Sequence, residues 1–144
     1  MIAARFTLSF NYEYSLAHLI ELGHYDHVDP DVAAQQLAMT HHGTHTREAK
    51  LVSIERGSEG PAALQALEDG NLVPGVMLEM LEIGHQIPNL QRQHSIIALG
   101  ATWQDGNGRR RTPYIGRHED QRWLGYGMFD LFWPECIRFL AFDK

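Results

Sequence analysis

Asp105-Gly106-Asn107-Gly108 stands between two runs of β-forming residues, and this constrains the fold of the chain more than any other feature. Turns of this composition supply the positive φ that a tight hairpin needs. Ahead of the turn, residues 95–103 (Ser-Ile-Ile-Ala-Leu-Gly-Ala-Thr-Trp) read as an apolar strand. Behind it, residues 110–115 pair back, with Pro113 favouring an edge position or a bulge. Residues 116–121 turn again, residues 122–132 form a long strand, Trp133-Pro134 breaks it, and residues 136–142 form the last strand. Nine of the fourteen aromatic residues lie between Trp103 and Phe142, as an aromatic meander requires.

The upstream sequence alternates between strand and helix signals. In residues 3–12, Phe6, Leu8 and Phe10 alternate with Thr7 and Ser9, as in a half-buried strand. Residues 15–23 place Leu16, Leu19 and Ile20 at helical spacing, with Ser15 as N-cap and Gly23 as the stop. Asp29-Pro30-Asp31 is a helix start, predicting a helix over 30–39. Residues 47–56 read as a strand ended by Gly57. Two helices follow, over 58–69 and 75–83, the second with an apolar face of Met77, Met80 and Leu81. The fold class expected is α+β: a mainly antiparallel sheet with a C-terminal β-meander, and helices packed on it, in a single domain over 1–144. The predicted core includes Leu81, Ile97, Leu99, Leu131 and Phe139.

Several segments resemble a family of small bacterial proteins of no assigned function. The resemblance rests on Pro74-Gly75, Gly84, Pro88, the run from Ile96 to Trp103, Asp105-Gly106, Arg111-Thr112-Pro113-Tyr114-Ile115 and the closing run from Cys136 to Lys144. The family's pattern reads PIIALGSxW, then RxVPYL, then CRFLAVRK. His94 stands where that pattern favours proline, and His27 where it has tryptophan. The resemblance implies one domain ending in a β-meander. It implies no catalytic residue, and the histidines at 41, 42 and 45 match nothing in it.

Charge narrows the possible partners. The net charge of −6 is uneven: residues 1–102 hold 5 basic and 12 acidic groups, and residues 103–144 hold 7 and 6. An acidic chain is disfavoured as a sequence-independent binder of nucleic acid, where phosphate neutralisation dominates affinity. No apolar run approaches the length of a membrane span. There is no apolar segment of signal-peptide type near Met1, and the single Cys136 fits a reducing compartment, so the expected location is cytoplasmic.

No complete catalytic motif is present. The leading expectation is a non-catalytic binding or interaction module without a cofactor, acting on another protein or a second copy of itself. Its contact residues would be Arg109, Arg110, Arg111, Tyr114, Trp123 and Trp133, since arginine, tyrosine and tryptophan anchor interfaces. The alternative is a metal-binding protein or metal-dependent hydrolase. Six of the nine histidines fall between residues 18 and 45. His24, His27, His42 and His45 form two His-x-x-His pairs that could hold zinc or another divalent transition metal, with Glu48 as general base.

Overall fold

The β-rich and helical patterns alternate along the chain, and they assemble into one extended sheet with helices on both faces. The computed structural model describes residues 1–144. The elements, in chain order, are β1 (Ile2–Asn11), α1 (Leu16–Gly23), β2 (His27–Val28), α2 (Pro30–Ala33), β3 (Thr44–Val52), β4 (Ser58–Glu59), α3 (Gly60–Asp69), β5 (Leu72–Pro74), α4 (Met77–Gln86), α5 (Leu90–Gln93), β6 (Ile96–Ile97), a 3₁₀ turn (Leu99–Ala101), β7 (Trp103–Gln104), β8 (Arg110–His118), β9 (Gln121–Met128), β10 (Phe132–Trp133) and β11 (Arg138–Asp143). No helix is long and apolar enough to cross a membrane.

The main sheet runs β1-β3-β11-β6-β8-β9-β2, with β5 paired to β11 and β7 to β8. It is mixed. β6 runs parallel to β11, and β2 runs parallel to β9. The α+β class stands, and the mainly antiparallel sheet gives way to a mixed one. The parallel pairs arise because β2 and β6 reach their partners through connections that include helices and loops rather than tight turns. β4 and β10 form a separate two-stranded ribbon.

Period-two alternation divides the interior in two. Ala49 and Leu51 of β3, Ile96 of β6 and Leu140 and Phe142 of β11 point into a larger core. Val52, Ile97, Phe139 and Ala141 of the same strands point into a smaller one on the opposite face. The larger core is covered by α1, α2, α4 and α5 through Leu19, Val32, Leu81 and Leu90. The smaller is covered by α3 through Ala63 and Leu67. Each fully buried large apolar side chain contributes roughly 1.5–3 kcal/mol. Of the predicted core, Leu81, Ile97, Leu99 and Phe139 are buried, but Leu131 is 61% exposed. β9 ends at Met128, and the turn that follows carries Leu131 out of the sheet.

Other boundaries also move. The strand expected over 95–103 is interrupted, because Gly100 donates its N–H to the Gly75 carbonyl (2.9 Å) and the chain turns there. The helix expected over 30–39 stops at Ala33, where Val32 is its only buried residue and little packing remains to hold a longer one. β3 begins at Thr44 and ends at Val52. The hairpin turn forms as its sequence demands. Asp105 Oδ1 accepts the N–H groups of Asn107 (2.8 Å) and Arg109 (3.0 Å), and Gly108 takes φ +78°.

Candidate functional site

The β8–β9 pairing sets Tyr114 opposite Gly125 and Gly116 opposite Trp123, so one face of the hairpin carries two large rings over glycine. Trp133 returns from the loop after β9 to lie over Gly127; a Cβ there would meet its ring at 2.2 Å. Trp123 is flanked by the rings of His27 and His118, with centroids 4.0 and 4.1 Å away. His118 Nε2 lies 3.1 Å from the Tyr114 hydroxyl. Burial holds the Tyr114 hydroxyl above the usual tyrosine range, with the Asp29 charge adding to it, so it stays a neutral donor and acceptor.

Tyr114, His118 and Trp133 border a shallow groove of about 300 Å³, completed by Ser95, Arg117 and Ile137, and Trp123 lies next to His118. Tyr114, Trp123 and Trp133 are half-buried, and the indole nitrogens of both tryptophans are buried without an acceptor within the chain. α3 packs at the other end of this face, beside β5. Phe132, 59% exposed, and Leu131 extend the apolar surface past Trp133.

The three consecutive arginines have separate environments. Arg111 Nε donates to Asp105 Oδ2 (2.7 Å), and its guanidinium lies 4.2 Å from the Tyr126 ring centroid. The Arg111 hydrogen bond, with help from the backbone N–H of Arg109, holds the Asp105 carboxyl below the usual carboxylate range. Arg110 donates to Thr102 Oγ1 (3.0 Å) and sits over the Phe129 ring. Arg109 is exposed. Strand alternation therefore places Arg111 on the face opposite Tyr114, away from the groove.

The histidines divide between the two edges of the sheet. His24 ends α1 in a left-handed conformation (φ 48°), and His27 lies on β2. His45 lies at the start of β3, beside β1 at the far edge, and His42 lies in the loop just before it. His45 Nε2 is 2.7 Å from the His42 carbonyl, and His42 Nδ1 is 3.8 Å from Glu13. The two His-x-x-His pairs do not meet, and no three His, Cys, Asp or Glu side chains converge on a metal-sized site. Glu48 is engaged by Lys50 (2.8 Å) and Arg5 (3.7 Å).

Two buried polar centres carry no motif in the sequence. The Arg122 guanidinium donates to the carbonyls of Gly23, Gly84 (2.8 Å) and Pro88 (2.9 Å) and to Gln91 Oε1 (2.8 Å). At the other end, Glu79 Oε2 accepts from the Tyr12 hydroxyl (2.7 Å) and from Arg47, while Glu79 Oε1 accepts the Val76 N–H (2.9 Å). The signal for Arg122 is its phase, since it falls two and four residues before Leu124 and Tyr126 on the core face. Comparison of the chain with family models, with curated proteins and with solved structures gives no match.

Proposed function

We propose that this chain is a non-catalytic interaction module that takes a second polypeptide on the ring-bearing face of β8 and β9. The observation that carries the reading is the set of half-buried rings on that face, Tyr114, Trp123 and Trp133, with the exposed Leu131 and Phe132 next to Trp133 in the chain. Half-exposed tyrosine and tryptophan rings on a sheet face are the residues that anchor interfaces. Leu131 and Phe132 widen the contact, and Arg117 at the groove edge adds a charged rim. Arg109 can join such a rim, whereas Arg110 and Arg111 serve the hairpin itself. A reducing compartment suits the lone exposed thiol of Cys136, which supports a cytoplasmic location.

A photo-crosslinking residue placed at Arg117 or at Leu131 tests this in cells. The expected result is one defined protein adduct at both positions, lost when Trp123→Ser is introduced. A mass of twice the chain identifies a second copy as the partner. Adducts no stronger than those from a probe at exposed Ser9 on the distant β1 edge overturn the reading.

A further inference from the structure

A second cleft, of about 170 Å³, opens at the far end of the sheet between β3 and the start of α4. Its wall is apolar, formed by Val73, Pro74, Val76 and Phe142. Its polar end is the Arg47 guanidinium, whose Cζ lies 4.0 Å from the Phe142 ring centroid. Only Nη1 of that group is used within the chain, on the Tyr12 hydroxyl (2.6 Å) and on Glu79. Nε and Nη2 make no hydrogen bond within the chain, leaving one edge of a rigid donor fork unoccupied.

Arg47 is paired with Glu79, yet the carboxylate does not depend on it alone. Glu79 also accepts from Tyr12 and from the Val76 N–H, and it lies in the first turn of α4, where the helix dipole favours negative charge. Part of the arginine's charge is therefore available to a ligand. His41 stands beside it, stacked on Tyr12 at 4.6 Å, with Nδ1 2.9 Å from Thr40 Oγ1 and Nε2 unengaged.

We propose that this cleft binds a small monocarboxylate with an apolar tail. The carboxylate lies on the Nε–Nη2 edge of Arg47, which matches its planar geometry, and the tail lies along Val73, Val76 and Phe142. The volume is below the roughly 300 Å³ at which drug-sized ligand sites begin, so the tail is short.

His41 makes the binding proton-linked. Burial, with Arg47 and His45 (ring centroids 5.3 Å apart from His41) adding to it, holds His41 below the ordinary histidine range, and Glu79 opposes them. Tyr12 faces the same ring and stays neutral, since burial and Glu79 raise it. Glu13, in the turn after β1, and His42, in the loop before β3, lie 3.8 Å apart nearby. A bound anion favours imidazolium, so binding takes up a proton at His41. Affinity is then greatest at low pH and falls as pH rises through the titration of ligand-bound His41.

Butyrate, with butyramide as an uncharged match in shape, tests the site on the full chain by NMR at about pH 6 and about pH 8, either side of ordinary histidine titration. Butyrate is expected to shift the Val73 and Val76 methyls and to raise the His41 pKa, binding at least about tenfold tighter at the lower pH. Arg47→Lys keeps the Glu79 pair but removes the fork, and should weaken binding by about tenfold or more with thermal unfolding little changed. His41→Gln, at an accessible position, should abolish the pH dependence and leave weaker binding. Equal shifts with butyramide, unchanged binding by Arg47→Lys, or shifts confined to His42 and His45 overturn the proposal. Inorganic phosphate displacing butyrate completely would overturn the requirement for an apolar tail.

Discussion

Arg122 shows how much one buried cation can organise. It is 5% exposed and touches no carboxylate with its guanidinium; its partners are carbonyl oxygens at the ends of α1 and α4, plus Gln91. Burial lowers its pKa, but a guanidinium remains charged throughout the usual range. The negative ends of two helix dipoles meet that charge, which is where a cation is favoured. Arg122→Met strands several buried carbonyls, each costing about 1–3 kcal/mol, so a total loss of at least about 3 kcal/mol is expected. Urea unfolding checks it, and a loss under about 1 kcal/mol would show that water replaces the guanidinium without difficulty. The residue is legible in the sequence only through strand phase: a charge two residues before Leu124 must either leave the core face or be satisfied within it. Glu79 and Arg47 give no such sign, since their meeting depends on α4 crossing β3, which no local pattern encodes.

At the scale of elements, the long and periodic ones were legible and the short ones were not. β1, α1, α3, α4 and the β8–β9 hairpin carry alternation or helical spacing over many residues. β2, β4, β6, β7 and β10 are two residues each, too short to show any period, and tertiary pairing alone defines them. The α4 pattern of Met77, Met80 and Leu81 implies one buried stripe, yet Glu79 and Glu82 are buried as well, because the sheet and α1 enclose the helix. Glu82 is matched by the Asn11 N–H (2.8 Å). The ring-bearing groove was half legible. Phase puts Trp123, Gly125 and Gly127 on one face, but the turn after Met128 discards Leu131 and returns Trp133 by another route. The interruption at Gly100 is testable. A Cβ there would lie 2.7 Å from the Gly75 oxygen and 3.0 Å from that of Pro74, both backbone atoms that cannot swing aside. Gly100→Ala should cost about 1–3 kcal/mol by denaturant titration. Gly106→Ala, where nothing lies within 4 Å, should change stability by under about 0.5 kcal/mol. Equal effects at the two sites would refute the close approach.

For the molecule as a whole, the two cores share their strands, so neither can melt while the other persists. Trp103 packs against the larger core and Trp133 against the smaller. Single-tryptophan variants retaining one or the other should therefore give coincident urea transitions, with midpoints that differ by no more than the substitutions themselves cause. Separated transitions would show that the faces are independent units. The shared strand that matters most is β11, which pairs with β3, β5 and β6 at the middle of the sheet. It also follows the other ten strands in chain order. A ribosome making this protein holds β3 with one edge open, and β6 lacking its parallel neighbour, until residues 138–143 have cleared the exit tunnel. The order of synthesis thus delays closure of the sheet until β11 emerges, and until then the exposed β3 edge is the surface most in need of a chaperone.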